Sequence, residues 1–251
     1  MGAHMAANLI KAGHDVWGYD IADITVAGAN EAQTIDAAVQ GMDAVITMLP
    51  NGDILRQVYA QIVPIGNKGV VFIDCSTVDI ESARFAHELT SKASFHSVDA
   101  PVSGGVGGAK AGTLTFMAGG TNDAFALADP MFDIMGQKAV HCGDGGAGQA
   151  AKICNNMILG VSMIAVCEAF SLADKLELDR QKIFDVVSTS SRSCWSVNTY
   201  CPVPGVGPVS PADNDYKPGF AAELMLKDLL LSQKAAKMVV ISPPCCRGLG
   251  R

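Results

Sequence analysis

The strongest chemical signal in this sequence is a lysine set in an oily helix. The segment Gly146-Ala147-Gly148-Gln149-Ala150-Ala151-Lys152-Ile153-Cys154-Asn155-Asn156 places Lys152 and Asn156 at i and i+4, on one helical face. Around them stand Ile153, Met157, Ile158, Leu159, Val161, Met163 and Ile164. Burying an ammonium and an amide among such neighbours is expensive. Proton chemistry supplies a reason, since desolvation drives a lysine pKa toward neutrality, where the amine can exchange a proton with an alcohol. The alternative is a lysine at a helix start whose stem lies on apolar surface while its head reaches water.

A second signal is the run Asp99-Ala100-Pro101-Val102-Ser103-Gly104-Gly105-Val106-Gly107-Gly108-Ala109. Ser103 offers a hydroxyl, and Gly104 and Gly105 offer unshielded backbone N–H groups. Such a nest suits a carboxylate. A plain flexible turn is the competing reading, and it leaves Ser103 without a role. Lys227, within GFAAELMLKDLLLSQKAAK, lies on an amphipathic helix. The ordinary place for such a lysine is the solvent face.

A third set has the order of a nucleotide site. A dinucleotide fold needs a glycine-rich turn ahead of its first helix and an acid at the end of its second strand. Gly2 stands where the last glycine of that turn would let the helix pack close to the sheet. Asp20 follows the strand-like DVWGY, where a carboxylate would accept hydrogen bonds from ribose hydroxyls. An acid there repels a 2′-phosphate, which points to NAD over NADP. Asp20 as a simple strand-ending loop residue is the alternative. Leu49 and Pro50 close one apolar run and would wall the cofactor. Thr77, in Asp74-Cys75-Ser76-Thr77, would offer a hydroxyl near the second ribose. Proline also ends strands and Ser-Thr also caps helices, so both readings hold together.

These residues need a scaffold, and the first half of the chain supplies one by alternation. Residues 2–12 read as helix, 14–19 as strand, 44–49 as a buried strand, 52–63 as helix, 70–73 as strand and 79–90 as helix. Residues 97–99 and 114–117 read as strands with a glycine-rich loop between them, 122–136 as helix, and 140–148 as a second glycine-rich stretch. The expected class is α/β, a Rossmann-like doubly wound parallel sheet lacking its first strand. From Gly148 the strands stop, and helices are expected near 149–175, 179–190 and 220–240. The expected division is a NAD-binding domain over 1–147, a helical substrate and oligomerisation domain over 148–242, and an atypical tail over 243–251.

Composition narrows the function class. The 251 residues are 49% hydrophobic and 17% charged, which excludes a disordered chain. A net charge of -7 disfavours nucleic acid as a partner. None of the eight cysteines forms a C-x-x-C pair, so no metal site is expected. Cys75, Cys154 and Cys167 lie in apolar runs and read as reduced core thiols, which suits the cytosol or a mitochondrial matrix. The longest apolar helical stretch, Met157 to Cys167, falls short of the ~20 residues of a membrane span. No signal peptide opens the chain.

Taken together, these motifs resemble the 3-hydroxyisobutyrate dehydrogenase family of β-hydroxyacid dehydrogenases, from Met1 to about Ser242. The loop matches D-x-P-V-S-G-G-x-x-x-A at Asp99, Pro101, Ser103, Gly104, Gly105 and Ala109. The helix start matches G-x-G-x-x-x-K-x-x-x-N at Gly146, Gly148, Lys152 and Asn156. The stretches TLTFMAGG and SRSCWSVNTYCPVPGV look like the 3-hydroxyisobutyrate branch in particular.

The resemblance implies a Rossmann domain that binds NAD, a long helix leading to a helical domain, and a homodimer or homotetramer. It implies that Ser103, Gly104 and Gly105 hold a substrate carboxylate, that Lys152 is the acid/base, and that Asn156 orients it. It makes Lys227 a second functional lysine near nicotinamide and substrate, and Leu49, Pro50 and Thr77 cofactor contacts. The implied reaction is NAD-dependent oxidation of 3-hydroxyisobutyrate to methylmalonate semialdehyde, a step of valine breakdown. The alternatives are a tartronate semialdehyde or 4-hydroxybutyrate type of reductase, or a non-catalytic binding or assembly module. Phosphogluconate is disfavoured, because no basic cluster accompanies the loop. The family's opening strand and first two glycines have no counterpart here, and SPPCCRGLGR stands where further helices would follow. The expectation is a chain truncated at both ends, any targeting segment being lost with the first of them.

Overall fold

The computed structural model describes residues 1–22, 24–217 and 219–239. It divides into two compact units, Met1–Lys152 and a second from Ile153 onward.

The first unit is built on parallel strands. β3 (Ala44–Thr47), β4 (Val71–Asp74) and β5 (His96–Asp99) pair in parallel, with Thr47 opposite Asp74 and Asp74 opposite Asp99. Three candidate residues or their neighbours therefore end at one level of the sheet. β7 (Leu114–Gly119) joins β5 antiparallel at Asp99 and Gly119, and it takes β6 (Val102–Ser103) antiparallel and β8 (Gly136–Gly143) parallel. The expected parallel α/β class holds, with antiparallel pairing confined to β7's contacts with β5 and β6.

Strand alternation sorts the core onto two faces. On β4, Val71 and Ile73 enter one cluster with Met5, Leu9, Phe116 and Phe132. Phe72, between them, enters the other with Leu55, Tyr59, Val78 and Ala86. The first cluster takes α1 (Gly2–Lys11) and α6 (Asn122–Met135), and the second takes α3 (Gly52–Ile62) and α4 (Ile80–Lys92). Helix starts are marked locally: Asn51, Asp79 and Thr121 each accept a backbone N–H three residues on.

Several expectations need correction. The strand expected over 14–19 contracts to β1 (Trp17–Gly18), which pairs with β2 (Asn30–Glu31) apart from the main sheet. A short helix, α2 (Ile35–Val39), follows it. The glycine-rich run after Asp99 is not loop throughout. Ser103 ends β6, and α5 (Gly105–Ala111) follows at once. Low side-chain bulk hid a helix whose buried contact is Ala109. Likewise the stretch expected to be glycine-rich, 140–148, begins within β8, whose alternating exposure marks an edge strand, and ends within α7.

The second unit is helical. Its first helix belongs to α7 (Ala147–Lys175), which begins in the first unit, and it continues with α8 (Arg180–Thr189), α9 (Trp195–Asn198) and α10 (Ala222–Met238). Val166, Phe170, Val197, Cys201, Val203 and Val206 form its own core cluster. At 29 residues α7 is long and apolar enough to cross a membrane by length and composition, which corrects the shorter stretch read from the sequence. Core helices pass the same test. Cys75 is buried as expected, but Cys154 and Cys167 are exposed on α7, because its 3.6-residue period turns them away from the packed side. The tail 243–251 lies outside the described residues.

Candidate active site

In the first unit the candidate residues gather where β3, β4 and β5 end. Asp99, buried at the end of β5, is the hub. Its Oδ1 accepts from the Gly146 N–H at 2.7 Å and lies 2.8 Å from His87 Nε2, and its Oδ2 accepts from the Gln149 N–H at 2.9 Å. Those amides open α7, and a helix start leaves such donors without partners of its own. His87 also lies 2.8 Å, through Nδ1, from the Ser97 hydroxyl. Asp99 therefore fixes the helix that carries Lys152.

Gln149 makes the second attachment. It is 0% exposed, its Oε1 accepts from the Val78 N–H at 3.1 Å, and its Nε2 donates to the Ser76 carbonyl at 2.8 Å. Ser76 in turn accepts from the Leu49 N–H at 2.7 Å and donates to Asp74 Oδ1 at 2.5 Å. Thr47 donates to the same oxygen at 2.7 Å. Burial pushes the Asp74 carboxyl up to about 6, although the Ser76 and Thr47 hydrogen bonds pull the other way. Its Oδ2 is buried without a partner. The segments bearing Leu49, Pro50 and Thr77 are thus tied to one another and to α7.

The packing around this seat leaves no slack. A Cβ at Gly148 would fall on the Met117 carbonyl and on Asp99, and one at Gly119 would sit 2.7 Å from the Gly148 nitrogen. Lys152, one turn after Gln149, is 8% exposed, so the lysine expected to be buried is buried. Ser103 is half-buried at the end of β6, and Gly104 and Gly105 follow with φ of 129° and 61°. Such backbone angles are open to glycine at little cost.

In the second unit Asn156, 2% exposed, donates to Asp228 Oδ2 at 2.6 Å. Asp228 is itself 3% exposed, and its Oδ1 lies 3.3 Å from Lys227 Nζ, an ion-pair distance without hydrogen-bond alignment. Asn156, Lys227 and Asp228 are therefore brought together on α7 and α10. Close approach of these helices is permitted by Gly160, where a Cβ would lie 2.9 Å from Leu229. Sequence patterns do not single out Asp228, Gln149, or Asp99 as a helix anchor. An acid inside the apolar LMLKDLLL is the available sign for the first.

The nucleotide side is more open. Asp20 is exposed beyond β1, and its Oδ1 accepts from the Ala22 N–H at 2.8 Å. Its carboxylate suits unphosphorylated ribose hydroxyls, and the N–H groups at the start of α1 suit an anion. The donor set therefore fits NAD. Gly2 is less constrained than expected: a Cβ there would make only ordinary contact with Met48, at 3.6 Å. Among the described residues no group of His, Cys, Asp and Glu could hold a metal ion.

Comparison with known proteins follows the same division. Residues 1–143 match the family described as the NAD binding domain of 6-phosphogluconate dehydrogenase. Residues 146–248 match the one described as NAD-binding of NADP-dependent 3-hydroxyisobutyrate dehydrogenase. A probable 3-hydroxyisobutyrate dehydrogenase of Mycobacterium tuberculosis is 46% identical, over 97% of this chain and 85% of its own. The mitochondrial 3-hydroxyisobutyrate dehydrogenase of Drosophila melanogaster is 42% identical over 94% of this chain and 75% of its own. A solved structure of the Mycobacterium tuberculosis 3-hydroxyisobutyrate dehydrogenase with L-serine superposes with a TM-score of 0.95 at 45% identity, covering 99% of this chain and 87% of that one.

Proposed function

The chain belongs to the 3-hydroxyisobutyrate dehydrogenase family of NAD-dependent hydroxy-acid oxidoreductases, and from that premise we propose that it oxidises 3-hydroxyisobutyrate to methylmalonate semialdehyde with Lys152 moving the hydroxyl proton. The observation that carries this reading is a buried Lys152 on a helix start held by Asp99 and Gln149.

NAD, when bound, supplies the hydride acceptor. The chain's own residues do the rest. Ser103, Gly104 and Gly105 bind the substrate carboxylate through a hydroxyl and backbone N–H groups. Lys152 Nζ takes the proton of the alcohol being oxidised, or steadies the charge that develops on its oxygen. Asn156 orients the reacting group and is itself held by Asp228. Lys227 supplies a second cation for substrate and cofactor. Asp20, Leu49, Pro50 and Thr77 hold NAD, with Gly2 at the start of α1. We assign cofactor binding to 1–147 and substrate and assembly functions to 148–242. The exposed Ile158 and Leu172 of α7, with Leu176 just beyond its end, support assembly as a homodimer or homotetramer. We place the enzyme in the cytoplasm or the mitochondrial matrix, the latter in keeping with a relative named mitochondrial, and its reaction in valine breakdown.

Replacing Lys152 by Ala tests the assignment. Turnover should fall by ~10²–10⁴-fold while NAD affinity stays within a few-fold. Near-normal turnover would end the proposal. A second substrate belongs in the same assay. The solved relative was obtained with L-serine, which, like 3-hydroxyisobutyrate, presents a carboxylate and a primary alcohol on adjacent arms of one carbon. The two differ in an ammonium against a methyl group. Comparing kcat/KM for both, with tartronate semialdehyde and 4-hydroxybutyrate reactions alongside, ranks them. A preference for either of the latter overturns the substrate assignment.

A further inference from the structure

We propose that Gln149 is a positioning residue that couples the loop after β4, which meets the cofactor, to the helix that carries Lys152, with Asp99 as the fixed anchor of that helix. This rests on the reading that Lys152 acts on the substrate hydroxyl.

From Ala147 to Ala151 the first turns of α7 hold Ala, Gly, Gln, Ala and Ala, so among them Gln149 has the one side chain long and polar enough to reach another element. Both ends of its amide go to a single loop: the oxygen takes the Val78 N–H and the nitrogen gives to the Ser76 carbonyl. The amide accepts from one backbone group through its oxygen and donates to the other through its nitrogen. The pair brackets Thr77, whose side chain is half-exposed while Ser76, Val78 and Gln149 are buried. Ser76 also holds the Leu49 N–H. A cofactor that presses on Thr77, Leu49 or Pro50 therefore moves groups that grip Gln149, and Lys152 stands one turn further along the same helix.

The other attachments are stiff. Asp99 binds the Gly146 and Gln149 backbone from the end of β5, and the start of α7 cannot slide toward the sheet, where Gly148 already lies against Met117 and Asp99. One end of the seat is thus fixed by strands, and the adjustable end is a loop read through one side chain. Reactions of this type are sensitive to such placement, since a misplacement of ~1 Å can cost ~100-fold in rate.

The test uses the full chain and the variants Gln149→Met, Gln149→Glu and Lys152→Met. The first removes both hydrogen bonds at similar length. The second keeps the acceptor and turns a carboxylate against the Ser76 carbonyl, and it stands in should the first not fold. We expect kcat to fall roughly 10- to 100-fold in the Gln149 variants, with KM for NAD and hydroxy acid within about 2-fold. Amide hydrogen exchange supplies a readout besides activity. In the unaltered chain NAD should slow exchange in peptides spanning 145–155, and in the Gln149 variants that NAD-dependent slowing should vanish although NAD still binds. Unchanged kcat overturns the proposal. So does NAD-dependent protection that survives in the variants, which would leave Gln149 a merely structural residue, or its absence from the unaltered chain. Lys152→Met separates the two readings: full activity there removes Lys152 from the chemistry, whereas its loss beside an unaffected Gln149→Met removes only the coupling.

Discussion

The start of α7 and the β1–β2 pair both lie at strand ends of the first unit, and both are expected to meet the same reaction, yet they are built in opposite ways. At α7, the two anchoring side chains, Asp99 and Gln149, are buried, and their bonds join the helix to β5 and to the loop after β4. At β1–β2, each strand has two residues, all four exposed, and Asp20 bonds its own near neighbour Ala22. The proposed roles account for the difference. A proton transfer depends on placement to a fraction of an ångström, which a buried hydrogen-bond network can hold. Ribose recognition by a carboxylate at the surface needs only hydrogen-bond reach.

Gly148→Ala forces a Cβ onto backbone that has nowhere to go, so we expect about 3 kcal/mol or more of lost stability in urea titrations, with turnover falling alongside. Unaltered stability would show that the seat is not tight. A smaller effect comes from Asp74, whose folded pKa of about 6 lies above its ordinary 3.8. Between those values the folded chain binds more protons than the unfolded one. Its contribution is therefore full below about pH 4 and is lost as pH rises through about 6, amounting to about 2–3 kcal/mol. The Asp74→Asn variant should lack this downward slope in unfolding free energy over that window. An identical slope would mean that the buried network does not hold the proton.

On the open side, Asp20→Ala should weaken NAD binding ~10-fold by fluorescence titration, relax the discrimination against NADP, and leave kcat nearly unchanged. A large drop in kcat would show that the two regions are not separate in function. Gly18→Ala completes the contrast, since no atom lies within 4 Å of the Cβ it would add. Its unfolding free energy should stay within ~0.5 kcal/mol of the unaltered chain.

Much of the site is legible in the order of residues alone. The i, i+4 pair Lys152 and Asn156, the buried strands over 44–49 and 70–73, and the serine followed by two glycines are patterns of neighbours along the chain. The misreadings fall where local bulk misleads. Gly105–Ala111 is helix although glycine disfavours helix, and Gly136–Gly143 is a strand. In both, pairing and packing with β7 and the core outweigh local preference.

Chain-local geometry, the 3.6-residue turn and the two-residue pleat, was enough to determine which side chains share a face, and hence that an amine and an amide would project together from an apolar helix. The groups that hold them come from distant parts of the chain. Asp99 reaches Gly146 across 47 positions, Gln149 reaches Ser76 across 73 and Asn156 reaches Asp228 across 72. No periodicity carries information over such separations. Those partners are chosen by where the sheet and helices come to rest, and by the cost of leaving a buried donor or acceptor unmatched.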